Sequence, residues 1–281
     1  NTGIKNLSWV LGYNFMKIDI APVDIAHLND GKEGDDLLPD TASLYQKYID
    51  WGIIEADEAD GGMHHSVKTG LVYDTRDNEA CPMSGLWSEV VLLNSFGKDY
   101  PYFGKLAITH RQYFTIIPKD LSFAYRLGYQ GIVLGEAPFY MYPYMVYSYM
   151  PSSTVDGLGG AKSVRGLIRN RVVAKSMGFA NIEFRYKFLR FQFINQNWYL
   201  AFNPFMDIGR SIDQVAIDKS PISTSDAEMH FAENEESLHF SFGGGLHVAM
   251  NENFVIAGEC GYPLRKQDGG LGIYIGMNWL F

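Results

Sequence analysis

The sequence predicts an all-β fold, an antiparallel transmembrane β-barrel of about ten strands in a single domain over residues 1–281. Aromatic residues make up 15% of the chain and glycine is abundant, whereas helical periodicity is almost absent. No run of roughly 18 apolar residues could cross a membrane as a helix, and the mean hydropathy is near neutral, as expected when every second residue faces inward. A soluble β-sandwich shares much of this composition, so the pattern along each strand has to distinguish the two.

Alternation of apolar and polar side chains divides the chain into ten candidate strands, and turn-forming residues separate most of them. Residues 21–62 are predicted to form a long polar loop, in which residues 44–54 are a candidate for a further short strand. Short turns on one side and long loops on the other are typical of the periplasmic and extracellular ends of a barrel, so the carboxy terminus is expected on the periplasmic side. The ten strands are predicted at residues 7–20, 66–74, 86–96, 102–117, 121–135, 178–194, 198–210, 238–250, 254–264 and 270–281.

The strands predicted at residues 178–194 and 198–210 carry their charges on one face only. Four polar side chains point the same way from the first strand, namely Asn181, Glu183, Arg185 and Lys187. On the second strand, Asn203, Asp207 and Gly209 share a face opposite large apolar residues. Such a row excludes an ordinary sandwich core, because each buried charge costs several kcal/mol unless it is paired or hydrated. These faces are therefore predicted to line the interior of the barrel.

The last predicted strand, residues 270–281, alternates large apolar side chains with small or polar ones and ends on an aromatic residue. One face is therefore predicted to contact lipid, and the other, with Gly272, Gly276 and Asn278, to face the interior. The lipid-facing residues on this prediction are Leu271, Ile273, Ile275, Met277, Trp279 and Phe281.

The charge of the chain argues against nucleic acid as a partner, because the net charge is -9 and phosphate binding needs a clustered basic surface. Acidic runs at residues 30–40, 55–60 and 226–236 are predicted to be solvated loops. Binding of divalent cations near lipopolysaccharide is the alternative, although none of the runs has the ligand spacing of an EF-hand. Cys81 and Cys260 are far apart in sequence and pair only if the fold brings them together, so they do not indicate a compartment.

No catalytic, metal or cofactor site is predicted. The sequence contains no GxSxG elbow or comparable nucleophile motif, so an enzyme is not expected. His64 and His65 lie beside an acidic run, but neighbouring side chains of a strand point to opposite faces, so both are expected to be polar residues at a strand end. The aromatic-rich residues 139–149 are predicted to pack on the barrel rim or to form an interfacial girdle, with sugar or lipid binding as the alternative.

Four segments occur in the order found in one known family. They are residues 71–85 (LVYDTRDNEACPMSG), residues 157–167 (GLGGAKSVRGL), residues 203–209 (NPFMDIG) and the aromatic carboxy-terminal strand. Together they resemble the bacterial surface antigen barrel of the BamA/TamA-type outer-membrane insertase and translocase superfamily, and the resemblance spans residues 66–281. The periplasmic POTRA domains that usually precede the barrel in family insertases are not visible in the sequence.

The resemblance implies a latch inside the barrel. Residues 136–176 are expected to form an extracellular loop that folds into the lumen, where Arg165 of the Val-Arg-Gly motif meets Glu183 and Asp207 on the inner wall. Two roles remain open for this latch: a packing device that keeps the barrel plugged, or a gate that opens the lumen or the seam between the first and last strands. The glycines expected to let this loop turn sharply and approach the wall are Gly159, Gly160 and Gly166.

Two further sets of residues match the family's motifs. The strand-turn motif consists of Asp74, Arg76 and Asp77. The segment that resembles the carboxy-terminal signal of outer-membrane barrels contains Tyr274, Trp279 and Phe281.

On this resemblance the protein is expected in the bacterial outer membrane, in contact with lipids and lipopolysaccharide, with other outer-membrane proteins or lipoproteins as candidate partners. It is expected to help insert or move proteins or lipids into or across that membrane without a cofactor. The alternative is a passive or structural plugged barrel, a pore or surface module associated with a partner complex. The chain is either the carboxy-terminal part of a larger barrel of up to roughly sixteen strands or a small barrel without periplasmic domains.

Overall fold

In the part of the chain that the structure describes, ten antiparallel β-strands form one sheet in chain order, which confirms the predicted all-β fold and the predicted number of strands. The structure, a computed structural model, describes residues 2–97, 101–149, 156–231 and 236–281. The strands are β1 (Leu7–Asp19), β2 (Gly61–Asp74), β3 (Gly85–Gly97), β4 (Phe103–Ile117), β5 (Leu121–Gly135), β6 (Ser176–Phe193), β7 (Gln196–Asp213), β8 (His239–Met250), β9 (Phe254–Pro263) and β10 (Gly272–Met277).

Each strand is hydrogen-bonded to its neighbour in the chain, and β1 and β10 form the two edges of the sheet. β10 is short: all of its 6 residues pair with β9, whereas the 13 residues of β1 pair with β2. β1 and β10 both lie wholly within the described residues, and they are not hydrogen-bonded to each other. The sheet is therefore open, and each edge presents unpaired backbone N–H and C=O groups.

The two faces of the sheet have opposite polarity. On the outer face large apolar side chains remain exposed, as in a surface that contacts lipid; examples are Leu11, Phe184, Phe242, Ile256 and Ile275. On the inner face polar side chains are buried; examples are Lys105, Arg126, Glu183, Asn203 and Asp207. This arrangement is the inverse of a soluble sandwich and follows the predicted alternation.

The loop between β1 and β2 contains two short helices, α1 (Ile25–Leu28) and α2 (Leu44–Asp50). The interpretation of residues 44–54 as a further strand is therefore wrong. Ser43 caps α2 by accepting the backbone N–H of Gln46 at 3.2 Å, which favours a helical turn at this position. No helix among the described residues is long and apolar enough to span a membrane.

A third helix, α3 (Thr224–His230), lies in the loop between β7 and β8 and contacts α2. Lys47 Nζ donates a hydrogen bond to Asp226 Oδ1 at 2.8 Å, and this bond lowers the pKa of the Asp226 carboxyl. The contact joins the loop of the first hairpin to a loop near the opposite edge of the sheet. The acidic run at residues 226–236 thus begins in a helix, and its residues 232–235 lie outside the described part of the chain.

Residues 139–149 lie against the inner wall of the sheet and not on its rim, so that prediction is wrong. Gln130 holds this segment by pairing with the backbone of Val146, accepting its N–H at 2.9 Å and donating to its C=O at 2.8 Å. The buried Lys105 Nζ donates to the carbonyl oxygens of Met141, Tyr142 and Tyr144 at 3.2, 2.8 and 2.5 Å. Polar wall side chains thus supply the partners that an irregular buried backbone needs, which explains its place inside.

The chain turns inward at the end of β10, which the alternation of residues 270–281 did not predict. Asn278 has a φ of 66°, in the left-handed region, and this conformation ends the alternation of faces. Leu271 to Met277 keep their large apolar side chains outward, but Trp279 and Phe281 are only 6% and 5% exposed. Trp279 stacks on His247 with 3.9 Å between the ring centroids. The lipid-facing prediction is therefore wrong for these two aromatic residues.

Lys105→Met is expected to lower the free energy of unfolding by roughly 2–4 kcal/mol, because unpaired buried carbonyl groups each cost about 1–3 kcal/mol. Hydrogen exchange should also become faster in residues 139–149 of the folded protein, since Lys105 holds three of their carbonyls. Lys17→Met is the control, because Lys17 is exposed and pairs with Asp19 at the surface. Unchanged exchange of residues 139–149 in Lys105→Met would contradict the assignment.

Candidate functional site

Arg165 lies at the centre of a buried ion-pair network on the inner wall. Its side chain is fully buried, and it forms three hydrogen bonds to Asp207 of β7. Arg165 Nε donates to Oδ2 at 2.9 Å, Nη2 donates to Oδ1 at 3.0 Å, and the backbone N–H donates to Oδ2 at 2.9 Å. The planar guanidinium thus pairs with both carboxylate oxygens of Asp207, while the backbone N–H of Arg165 fixes the position of the loop along β7.

Two glutamates complete the network around Arg165. Nη1 donates to Glu259 Oε1 at 2.8 Å and to Glu183 Oε2 at 3.3 Å. The guanidinium carbon also lies 3.5 Å from the centroid of the Phe205 ring, close enough for a cation–π contact. Arg165 is therefore bound by strands β6, β7 and β9 at once.

Sequence reasoning identified Glu183 and Asp207 but missed Glu259. The signal was present in the strand pattern: along the fully described strand β9, Glu259 carries the only charge on the inward-facing side. Its neighbours on that side are Val255, Ala257, Gly261 and Pro263. A lone carboxylate among small residues leaves space and charge for a partner from outside the strand, and Arg165 is that partner.

The carboxylates have further partners on the wall. Arg185 Nε donates to Glu183 Oε1 at 2.7 Å, and Asn203 Nδ2 donates to Glu259 Oε1 at 2.9 Å. His247 Nε2 lies 3.0 Å from Asn203 Oδ1. Each carboxylate has at least one cation within 3.3 Å, so none of the three is buried without a counter-charge.

The loop residues just before Arg165 are held through their carbonyl groups. Arg126 Nη2 donates to the carbonyl oxygen of Lys162 at 3.0 Å, and Asn181 Nδ2 donates to that of Ser163 at 2.7 Å. Arg126 and Asn181 also bond to each other, from Nε to Oδ1 at 2.8 Å. The approach of the loop to Arg165 is thus fixed by wall side chains.

The glycines of the loop have different roles. Gly166 has a φ of 91°, and a Cβ atom there would lie 2.9 Å from the backbone of Gly261 on β9. Gly160 has a φ of 83°, but the nearest atom to its added Cβ is 3.8 Å away. Close approach to the wall therefore requires glycine at position 166, whereas Gly160 is required only by its left-handed backbone.

The network extends to the last strand and to the residues after it. The Gly166 N–H donates to the Tyr274 hydroxyl on β10 at 2.7 Å. The Arg185 guanidinium lies 4.8 Å from the Trp279 ring centroid and 5.0 Å from that of Phe281. Its Nη2 donates to the main-chain oxygen of Phe281 at 2.5 Å. Tyr274 thus contacts the loop directly, whereas Trp279 and Phe281 contact Arg185, which binds Glu183 of the network.

The strand-turn motif lies elsewhere, in the turn between β2 and β3. Arg76 pairs with Asp74 through Nε at 3.0 Å and Nη2 at 2.8 Å. Asp77 Oδ1 accepts the backbone N–H groups of Met83 and Ser84 at 3.0 and 3.2 Å. These contacts close the turn on itself, and none of the contacts made by these three side chains reaches Arg165.

The two histidines point in opposite directions. His64 is buried beside Tyr140, with 2.8 Å between Nε2 and the hydroxyl, whereas His65 Nδ1 lies 2.6 Å from the Tyr13 hydroxyl at the surface. Within the described ranges, no group of three or more His, Cys, Asp or Glu side chains could hold a metal ion. The network around Arg165 consists of ion pairs and hydrogen bonds that join one loop to the inner wall.

Comparison with known proteins gives one family and one fold. Residues 5–279 match the sequence profile described as the Omp85 superfamily domain. Similar solved structures include BamA from Haemophilus ducreyi lacking POTRA domains 1–3, with a TM-score of 0.60 and 13% sequence identity. The alignment covers 98% of this chain and 52% of that one, so the chain spans about half the length of that protein. Among curated proteins, none matches the sequence significantly.

Arg165→Ala is expected to lower the free energy of unfolding by about 3–5 kcal/mol, because it leaves buried carboxylates without their cation. Urea unfolding of the purified protein measures this loss. Arg169→Ala is the matched control, since Arg169 belongs to the same loop, is more than half exposed, and pairs at the surface with Asp156. Equal losses for the two variants would contradict a special role for Arg165.

Proposed function

The chain belongs to the Omp85 superfamily, and on this premise we propose that it is an outer-membrane assembly or translocation factor that helps insert or move proteins or lipids. The observation that carries the proposal is the link between the lumen loop and the edge of the open sheet. Gly166 is bonded to Tyr274 on β10, and Arg165 is bonded to Glu259 on β9. Movement of the loop would therefore change the support of the last two strands.

The edge strand depends on this support because its own pairing is short. β10 is bonded to β9 over its 6 residues only, and a strand of this length gains little from its ladder alone. The outer side chains of β10 are strongly exposed, so they contribute no packing within the chain. β10 is therefore stabilised by contacts on its inner side, and the Gly166–Tyr274 hydrogen bond is one of them.

Release of β10 would present backbone groups to an incoming strand. The edges β1 and β10 both carry unpaired N–H and C=O groups, which bind an extended segment by adding it to the sheet. In this proposal the latch is a gate, and it acts without covalent or cofactor chemistry. Expected partners are outer-membrane lipids and lipopolysaccharide, together with other outer-membrane proteins or lipoproteins. In the proposed orientation, the end of the sheet with the short turns faces the periplasm.

A passive plugged barrel is the second candidate, and the filling of the interior favours it. Residues 139–149, the Arg165 loop and the residues after β10 all pack against the inner wall. In this case the latch would only keep the plug in place. Depletion of the protein separates the two candidates: an assembly factor predicts an altered outer-membrane protein or lipid profile, and a passive barrel predicts an unchanged one.

Tyr274→Phe tests the gate directly. The variant loses one hydrogen bond to the loop, which contributes about 1 kcal/mol, so we expect it to raise the rate of insertion of a test barrel protein into liposomes roughly fivefold. Tyr262→Phe is the control, because Tyr262 lies on the outer face of the adjacent strand and is about half exposed. An insertion rate that is the same with wild type, with Tyr274→Phe and without protein would contradict the gate and favour the passive barrel.

A further inference from the structure

A second candidate site lies at the opposite end of the interior, where the strands are joined by short turns. An open cavity of about 900 Å³ is lined there by the turns after β2, β4 and β8 and by the hairpin of β6 and β7. Its volume falls within the range of small-molecule sites, roughly 300–1,000 Å³. Three cationic side chains line it: Lys119, Lys187 and Arg190.

Lys187 is the key residue of this cavity, because it is buried without a carboxylate partner. Its side chain is 5% exposed, and its ammonium group makes no hydrogen bond or ion pair to any described residue. It lies over the face of the Tyr199 ring, with 4.8 Å from Nζ to the centroid. Because Lys187 lines the open cavity, its unpaired ammonium group is accessible to an anion that enters there.

The acids near the cavity are already engaged. Asp77 accepts two backbone N–H groups of its own turn. Glu252 lies 3.7 Å from Arg190 at the surface, and Asp120 lies 3.2 Å from it. None of these three carboxylates pairs with Lys187, so among the described residues the charge of Lys187 has no counter-charge, whereas Arg190 is shared with Asp120 and Glu252.

A β-bulge places the second cation beside Lys187. The register of β6 against β7 shifts between Lys187 and Leu189, so that Leu189 pairs with Leu200 and Arg190 pairs with Tyr199. Without the shift, strict alternation would put Leu189 on the same face as Lys187. The bulge instead turns Arg190 toward the cavity, where its guanidinium carbon lies 5.8 Å from the Tyr199 ring centroid.

The same hairpin carries an exposed apolar surface next to the cations. After Lys187, at the end of β6 and in the following turn, the exposed large apolar residues are Phe188, Leu189, Phe191, Phe193 and Ile194. β5 begins at Leu121, opposite Tyr186, so the β6 side of this hairpin extends past its neighbour. The free edge of β6 therefore lies between cationic side chains on the inner face of the sheet and apolar side chains on its outer face.

From this arrangement we propose that the cavity binds a phosphate group, and that its source is the headgroup of an anionic phospholipid. The phosphate contacts Lys187 and Arg190, which are suited to it as a point charge and a planar donor. The acyl chains pass the free edge of β6 and lie on the exposed apolar residues of the hairpin. The site is separate from the latch around Arg165 and independent of the proposed gate.

Lipid retention tests the proposal. Wild type, Lys187→Met, Arg190→Gln and the control Lys32→Gln are reconstituted in phosphatidylcholine bilayers containing phosphatidylglycerol, extracted in mild detergent, and weighed by native mass spectrometry. Wild type and Lys32→Gln are expected to retain phosphatidylglycerol. Lys187→Met is expected to retain it roughly tenfold less, because a charge-assisted hydrogen bond is lost. Lys32 is a fair control, since it is an exposed cation in the loop before β2.

A second measurement identifies the source of the phosphate. The thermal unfolding midpoint is recorded in sodium phosphate and in sodium chloride of equal ionic strength. Stabilisation of wild type but not of Lys187→Met by phosphate, without lipid retention, supports the site with a free phosphate ion as its ligand. Lys187→Met is expected to fold, because it removes an unpaired buried charge and keeps a side chain of similar length. The proposal would be overturned if wild type, Lys187→Met and Arg190→Gln retained the same amount of phosphatidylglycerol and showed the same change in unfolding midpoint with phosphate.

Discussion

The burial of the Arg165 charge is the constraint on which the rest of the interior depends. A guanidinium that is fully excluded from solvent needs carboxylates on more than one side, and β6, β7 and β9 each supply one. Those carboxylates in turn require the polar inner face that the strands display. The loop must also come within backbone contact of β9, and this explains glycine at positions 166 and 261.

Each segment inside the barrel is held by a different kind of contact. Residues 139–149 are bound through their backbone by Lys105 and Gln130, and the next part of the loop is bound through the Arg165 side chain. The residues after β10 are held by aromatic and cation–π contacts with His247 and Arg185. Since Arg185 also binds Glu183, the loop and the end of the chain share one network. A change in the position of either one therefore alters the contacts that support the edge of the sheet.

Much of the fold could be predicted from the sequence because alternation with period two is strong in β6 and β7, where charges line the inside. Alternation also placed Glu183 and Asp207 on the inner face, whereas the contact of Arg165 with them came from a family motif, since no local pattern brings a loop residue to strands that follow it. Trp279 was placed on the wrong face because a single left-handed residue, Asn278, ends the alternation of faces. The inward position of Arg190 depends on a bulge, which shifts the face of every later residue and leaves no clear sequence signal.

The central claim is that the Arg165 network holds the edge of the open sheet in place. Hydrogen exchange of the β10 amides, measured on folded wild type and folded Arg165→Ala, tests it most directly. Exchange reports local opening of a strand while the rest of the protein stays folded. The account predicts faster exchange in residues 272–277 of Arg165→Ala, with the amides of β3 and β4 unchanged, since those strands do not contact Arg165. Exchange of residues 272–277 equal to that of wild type would contradict it.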